Sequence, residues 1–417
     1  MPSSPPEARP NYLWLTRFFP YPTHAGDRIY SAKLIESLAA QPCRVSVFCT
    51  YQGRDAPVPP DGPARGADWV LCRDNSRHRL WLYPFSYLPQ HALRLSGPDP
   101  RRSLWPLLIQ QPWDAILIDY VSMGWTLPLL AEATRVTGHR PTLAYVAHNH
   151  EASLRRLAVN HSMALAPLRL AQWIDGGRIA ALERQLLAEA DLVTTISPTG
   201  DRAHFLADAP NQRFLSLVPG YDGPRLAQRT LTAETPRRVV VVGSFDWIVK
   251  QQNLVEFLEA AAAPLAHDGI GIDIVGAGPA AVLDHWRHRF PNVAIHGRVE
   301  AVEPYLAGAR MSIVPERVGG GFKLKVLNAV FQRCPLFALA GSLAEVPLID
   351  GKSVRFFRDF PSLVDGIRRS IDDFDGLNAL QTAAFDACRE GFQWHDRGQS
   401  LHQTLASLSK LHREDVR

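Results

Sequence analysis

The sequence predicts an α/β protein made of two doubly wound, parallel-sheet domains. Three observations predict it. The chain has 417 residues, too many for one ordinary core. Its opening alternates strand, loop, helix and strand, with a glycine in the first strand-to-helix loop. The run Val239-Val-Val-Val242, then Gly243, a loop and a helical pattern, repeats that opening in the second half. A continuous apolar run marks a parallel strand covered on both faces.

The first half reads in order. Tyr12 to Phe18 is a strand, and Ile29 to Ala39 is a helix on the spacing of Ile29, Leu34, Ile35 and Leu38. Val45 to Cys49 is the next strand. Ligands of such sheets sit beyond the strand C-termini, so Gly26, Asp27 and Arg28 face a ligand, or Asp27 merely caps the helix. Residues 73–105 mix arginines and histidines with Trp81, Tyr83, Phe85, Tyr87 and Trp105, broken by prolines. That mixture suits a membrane surface or an amphiphilic acceptor over 77–105, or an irregular insertion with its rings in the core. Ala115 to Ile118 is a strand ending in Asp119-Tyr120, and Thr142 to Ala147 is a strand running into His148-Asn-His-Glu151. His-x-His has no third ligand nearby, so metal is not expected. The histidine either bonds a substrate or caps the next helix. Ile174 to Ala190 is a helix, Asp191 to Ile196 a strand, and residues 223–236 a polar, proline-bearing linker.

In the second half the helix runs from about Asn253 to Ala263, and Lys250 stands just before it, where its charge reaches a phosphate. Gly276-Ala-Gly278-Pro-Ala-Ala281 matches a dinucleotide fingerprint, but it is not the first unit of its half and Pro279 sits at its helix start. Val293 to His296 and Pro335 to Leu339 are strands, and Val302 to Gly308 is a helix. Between them, Ile313 to Val330 reads as a strand end, the glycines Gly319, Gly320 and Gly321, and a helix from Phe322 to Phe331. A strand, a glycine loop and a helix N-terminus bind anions through free N–H groups, and Lys323 and Lys325 add charge. A plain turn with two solvated lysines fits the same residues.

Composition bounds the function. At 46% hydrophobic and 21% charged the chain has a soluble, globular make-up, and a net charge of +4 does not argue for nucleic acid. The five cysteines have no metal spacing and no CxxC, which fits reduced thiols in a cytosol. The first ten residues are Pro/Ser-rich, without a signal-peptide core, and are expected to be disordered. No run approaches the ~20 apolar residues of a membrane span.

Taken together, these blocks resemble the GT-B glycosyltransferases, most closely glycosyltransferase family 4, the retaining group. The likeness is carried by His24-Ala-Gly-Asp27, Val146-Ala-His148, Val218-Pro-Gly-Tyr-Asp222, Val242-Gly-Ser-Phe-Asp-Trp247 with Lys250, Ile274 to Pro279, His296 to Val299, Val314-Pro315, Gly320 to Pro335 and Phe392-x-Trp394. It implies an acceptor domain over 11–222, the linker 223–236, a donor domain over 237–391, and residues 392–417 crossing back to the first domain. It implies two Rossmann-like domains facing across a cleft. The implied reaction moves a sugar from a nucleotide diphosphate, such as UDP or GDP, to a saccharide or lipid-linked acceptor in polysaccharide or glycoconjugate biosynthesis. The implied place is the cytoplasm, with contact at the inner face of the membrane. The donor would meet Gly26, Ser244, Lys250, Arg298, Gly320, Gly321, Phe322, Lys323 and Asn328. His148, Lys250 and Asp27 would carry catalysis, and Arg28 and Glu151 the acceptor. No cofactor and no metal are expected. The family's E-x7-E glutamates fall on Gly320 and Asn328, and its post-glycine arginine on Ser244. Asn328 still bonds ribose hydroxyls, and Lys323 and Lys325 replace the arginine's charge. Loss of both glutamates leaves a second expectation, a non-catalytic module that binds a sugar nucleotide or a partner protein.

Overall fold

The computed structural model describes residues 9–23, 26–53, 55–61, 66–74, 76–160, 165–198, 200–317, 322–343 and 346–415. The chain divides into two compact units: Met1–Pro219 with Trp394–Arg417, and Gly220–Gln393.

Unit 1 holds the strands β1 (Asn11–Thr16), β2 (Arg44–Tyr51), β3 (Asp68–Arg73), β4 (Ala115–Asp119), β5 (Thr142–Val146), β6 (Leu192–Thr195) and β7 (Phe214–Ser216). Its helices are α1 (Gly26–Ala39), α2 (Gln90–Leu95), α3 (Pro98–Gln110), α4 (Leu127–Thr137), α5 (Glu151–Asn160), α6 (Ala166–Glu189) and α7 (Gly200–Asp208), with the last helix of the chain added below. Unit 2 holds β8 (Arg238–Val242), β9 (Gly271–Val275), β10 (Val293–Gly297), β11 (Met311–Val314), β12 (Leu336–Leu339) and β13 (Arg355–Phe357). Its helices are α8 (Ile248–His267), α9 (Ala280–Arg289), α10 (Glu303–Ala307), α11 (Leu324–Phe331), α12 (Phe360–Ser370) and α13 (Phe374–Cys388), and α14 (Trp394–Asp415) returns to unit 1.

Both sheets are parallel among the described residues. The orders are β3-β2-β1-β4-β5-β6-β7 and β10-β9-β8-β11-β12-β13. Every residue of β4 and β5 is buried, as strands covered on both faces require. Each order reverses beside its first strand, between β1 and β4 and between β8 and β11. Backbone loops diverge there and leave a crevice at the strand C-termini.

The structure sharpens several of these readings. Residues 73–105 are not irregular: they follow β3, form a 3-10 segment at Ser76–Phe85, and continue into α2 and α3. The alternative that their rings all enter the core also fails, because Trp81, Phe85 and Tyr87 are 71%, 87% and 74% exposed. Residues 223–236 are fastened to unit 2. Arg229 donates to the carbonyls of Ala307 and Ala309 at 2.8 and 2.7 Å, and the amide of Leu231 donates to Asn378. Gly276 serves the fold. A Cβ there would lie 1.5 Å from the Gly243 carbonyl oxygen, at φ +150°, so the loops after β8 and β9 touch backbone to backbone. That contact explains the glycine without a dinucleotide.

α14 completes unit 1. It lies along α1 so closely that a Cβ on Gly398 would come within 2.1 Å of the Ser37 carbonyl oxygen. Leu401 and Leu405 are fully buried, and Ser409 donates to the Asp114 carbonyl at 2.8 Å. All five cysteines are buried and unpaired. No helix among the described residues is long and apolar enough to cross a membrane.

Candidate active site

The crevice of unit 1 is built by the ends of β1, β4 and β5. β5 delivers His148 two residues past its end, buried. Its Nε2–H donates to Asp119 Oδ1 at 2.7 Å, and Trp14 Nε1 donates to Asp119 Oδ2 at 3.1 Å. Asp119 is fully buried and selects the histidine tautomer that leaves Nδ1 bare. Nδ1 is buried with no hydrogen-bond partner among the described residues. Such an atom is costly to leave empty, and a ligand hydroxyl donating to it would satisfy it. Tyr120 stacks on the His148 ring at 4.0 Å and 8°. It does so at φ +74°, a backbone strained for a tyrosine by about 1–3 kcal/mol. Sequence reading missed Asp119 as the partner of His148.

The second histidine of His-x-His does something else. His150 Nδ1 accepts from the Ser153 amide at 3.3 Å and meets its hydroxyl at 2.8 Å, capping α5. Of the two alternatives for this motif, the helix cap is realised by His150, while His148 is held by Asp119. Glu151 begins α5, and its amide donates to the buried Glu183. Burial raises the Glu183 carboxyl to about 7, against the two amides of residues 152 and 151 that favour its charged form. Asp27 is tied to Arg17 at 3.0 Å and does not stand free as a base. Gly26 opens α1, and a Cβ there would meet nothing within 4 Å, so the chain itself does not demand a glycine. Arg28 lays its guanidinium on the Phe18 ring at 4.6 Å. His24 lies outside the described residues.

The crevice of unit 2 forms beside β8 and β11. It is lined by Gly243, Ser244, Lys250, Asn253, Glu316 and Lys325 among others. Glu316 follows β11 and is buried. It takes an ion pair from Lys323 Nζ at 3.4 Å and another from Lys325. Burial alone would raise its carboxyl, but Lys325 and Lys323 outweigh that and hold it at about 2. Burial and the charge of Lys325 push the Lys250 amine below the ordinary lysine range, while Glu316 opposes them. The Lys250 amide donates to the Trp247 carbonyl, but its side-chain amine has no hydrogen-bond or ion-pair partner among the described residues. Three lysines therefore converge on one carboxylate, with net positive charge in a partly desolvated place. That is chemistry for a polyanion.

The other expected donor residues are placed as follows. α11 starts at Leu324, so Phe322 and Lys323 precede it, and the Phe322 ring lies 5.8 Å from Phe392. Asn328 is half-buried on α11 with no side-chain bond among the described residues. Ser244 is exposed and donates to Asp246 at 2.8 Å, and Arg298 is exposed just past β10. Gly319, Gly320 and Gly321 lie outside the described residues. Glu316 was missed. Its signal is an acid just past an apolar strand end, with two lysines, Lys323 and Lys325, following in the same stretch. Among the described residues no three His, Cys, Asp or Glu cluster as metal ligands. The pair Asp373 and Asp375 has Asp-x-Asp spacing, but Asp373 caps α13 by accepting the Gly376 amide at 3.0 Å.

Two family models match the chain. "Glycosyl transferase 4-like domain" covers 26–217 and "Glycosyl transferases group 1" covers 236–373. Solved structures match along almost the whole length. Sucrose-phosphate synthase from Thermosynechococcus elongatus is 18% identical, with 96% of this chain and 99% of that chain covered at a TM-score of 0.72. WaaG, a glycosyltransferase involved in lipopolysaccharide biosynthesis, is 14% identical, with 95% and 99% covered at 0.66. Anabaena Alr3699/HepE in complex with UDP-glucose is 14% identical, with 95% and 99% covered at 0.62. At these identities the likeness is one of fold. Curated protein sequences give no match.

Proposed function

Because the chain belongs to the group 1 glycosyltransferases of the GT-B fold, we propose that it moves a sugar from a nucleotide diphosphate to a saccharide or lipid-linked acceptor. The proposed stereochemistry is retention, and the proposed site uses no metal. The observation that carries this reading is the convergence of Lys250, Lys323 and Lys325 on Glu316 at the switch point of unit 2. Sugar transfer builds negative charge on the departing diphosphate. Preorganised N–H donors in a dry place stabilise that charge, at roughly 3–4 kcal/mol for one donor. The UDP-glucose bound by Anabaena HepE supports a sugar nucleotide here. Asn328 would bond the ribose and the backbone near Arg298 the base, and in unit 1 His148 Nδ1 would accept from a ligand hydroxyl.

Thermal unfolding with UDP, GDP, dTDP and ADP tests the reading. A ligand at 100 times its Kd stabilises by about 2.7 kcal/mol. One nucleotide should raise Tm, and Lys250→Ala should abolish the rise. No rise with any of them, on folded protein, sinks the donor site. A rise without turnover on any acceptor leaves the alternative, a module that binds a sugar nucleotide without catalysis.

A membrane surface is the proposed meeting place with a lipid-linked acceptor. Beside the exposed Trp81, Phe85 and Tyr87, α6 exposes Leu168, Leu170 and Trp173. The two faces adjoin, since Tyr83 donates to Asp175 at 2.8 Å and Arg178 to the Tyr83 carbonyl at 2.9 Å. Monomers seldom expose such a patch without use. Co-sedimentation with anionic vesicles should fall in Trp81→Ser combined with Trp173→Ser. Equal sedimentation of variant and wild type would remove the membrane contact.

A further inference from the structure

One crevice of unit 1 has so far no role. It opens at the C-terminal ends of β1, β2 and β3, with a volume of about 540 Å³. Three arginines line it, Arg17, Arg28 and Arg94, with Tyr21 and Tyr51. The guanidinium carbons of Arg17 and Arg28 lie 4.8 and 4.6 Å from the centroid of one ring, Phe18. Two like charges are thus held beside a single ring.

Most of the donors on these arginines are unspent. A guanidinium carries five N–H donors. Among the described residues the Arg17 side chain gives one hydrogen bond, to Asp27 at 3.0 Å. The nearest carboxylate oxygen to Arg94 is that of Asp74, 3.7 Å away and beyond hydrogen-bond reach. The Arg28 guanidinium makes no ion pair among the described residues. Nε of Arg17 and Nε of Arg94 are both buried without a partner. Three positive groups face two aspartates, which leaves one net positive charge and a surplus of planar, fork-shaped donors. That geometry suits the paired oxygens of a phosphate or carboxylate.

The crevice also leads to the site already described. The Arg17 guanidinium lies 4.0 Å over the Tyr120 ring, which stacks on His148. We infer that the acceptor carries a phosphate or carboxylate, and that Arg17, Arg28 and Arg94 hold it in this crevice. This rests on the sugar-transfer reading and narrows its acceptor class. The anion has two sources, a water-soluble acidic sugar or the head group of a lipid.

Two arms separate the sources. Calorimetric titration of the full chain with glucose 6-phosphate, glucuronate and glucose tests the soluble arm. Sedimentation with phosphatidylcholine vesicles, with and without a prenyl phosphate, tests the lipid arm. At least one anionic probe should bind about tenfold tighter than its neutral counterpart. Arg28→Gln on α1 and Arg94→Gln on α2 should each erase that preference, at unchanged Tm and with the UDP-induced shift intact. Equal binding of anionic and neutral probes in both arms overturns the inference, as does a preference that survives both variants. A UDP shift without anion preference overturns only this inference. An anion preference without any nucleotide shift supports the crevice and overturns the donor reading.

Discussion

Glu316→Gln removes one buried carboxylate and leaves Lys323 and Lys325 without their counter-charge. The size of the effect follows from the displacement of its carboxyl from 4.5 to about 2. That displacement corresponds to roughly 3 kcal/mol favouring the charged, folded form. Breaking a buried pair by removing one partner costs about 3–5 kcal/mol, the same range. The sign is fixed by the direction of the shift. The contribution is present above pH 4.5 and is lost as pH falls from 4.5 toward 2. For a unit the size of Gly220–Gln393 each kcal/mol moves Tm by roughly 2–4 °C. The variant should therefore melt roughly 6–12 °C lower at pH 7, read by the transition of unit 2 in scanning calorimetry. Inorganic pyrophosphate should raise its Tm more than it raises that of wild type, because three lysines then lack their carboxylate. A Tm change of less than about 1 °C, with pyrophosphate stabilising both proteins equally, would refute the role of Glu316 as counter-charge.

Two further outcomes follow from unit 1. Asp119→Asn replaces one of the two carboxylate oxygens that accept from His148 and Trp14 with an NH2 donor, and should cost on the order of 100-fold in kcat while the UDP-induced shift stays; an unchanged kcat would detach His148 from the chemistry. Glu183 has its folded carboxyl at about 7 against an ordinary 4.5. Its folded state thus holds the proton longer than the unfolded state, and stability from this group falls as pH rises from 4.5 to 7, by on the order of 3 kcal/mol. Comparing the pH dependence of unfolding in wild type and Glu183→Gln checks it, and parallel curves would refute it.

Much of the fold was legible because buried parallel strands are written as apolar runs. Val239–Val242 and Ala115–Ile118 announce themselves in this way. The three-residue strands β7 and β13 do not, since three residues carry no pattern. Residues 73–105 were opaque because prolines interrupt every periodic stretch there. For the site, single residues were legible and pairs were not. His148 stands at a strand end in plain view, but Asp119 lies 29 residues earlier. Only the β4–β5 pairing brings them together. Glu316 was hidden for a different reason: a carboxylate beside two lysines reads as a solvated surface until burial is known. The His-x-His motif shows the limit most clearly, since identical side chains two residues apart are used differently: His148 is held by a buried aspartate and His150 caps a helix.

The return of α14 to unit 1 has a consequence for how the protein is made. Synthesis runs from the N-terminus, so α1 leaves the ribosome long before residues 394–415 exist. Until then the face of α1 that meets Gly398 has nothing over it, and the seats of Leu401 and Leu405 stay empty. Unit 2 is continuous in sequence, and its ends are fastened to each other where the Tyr221 amide donates to the Phe392 carbonyl at 2.8 Å. The half of the molecule translated second is the half that closes first. A stop codon before residue 394 would leave unit 2 whole and deprive unit 1 of its last layer, so that the damage from a C-terminal truncation falls on the N-terminal sheet.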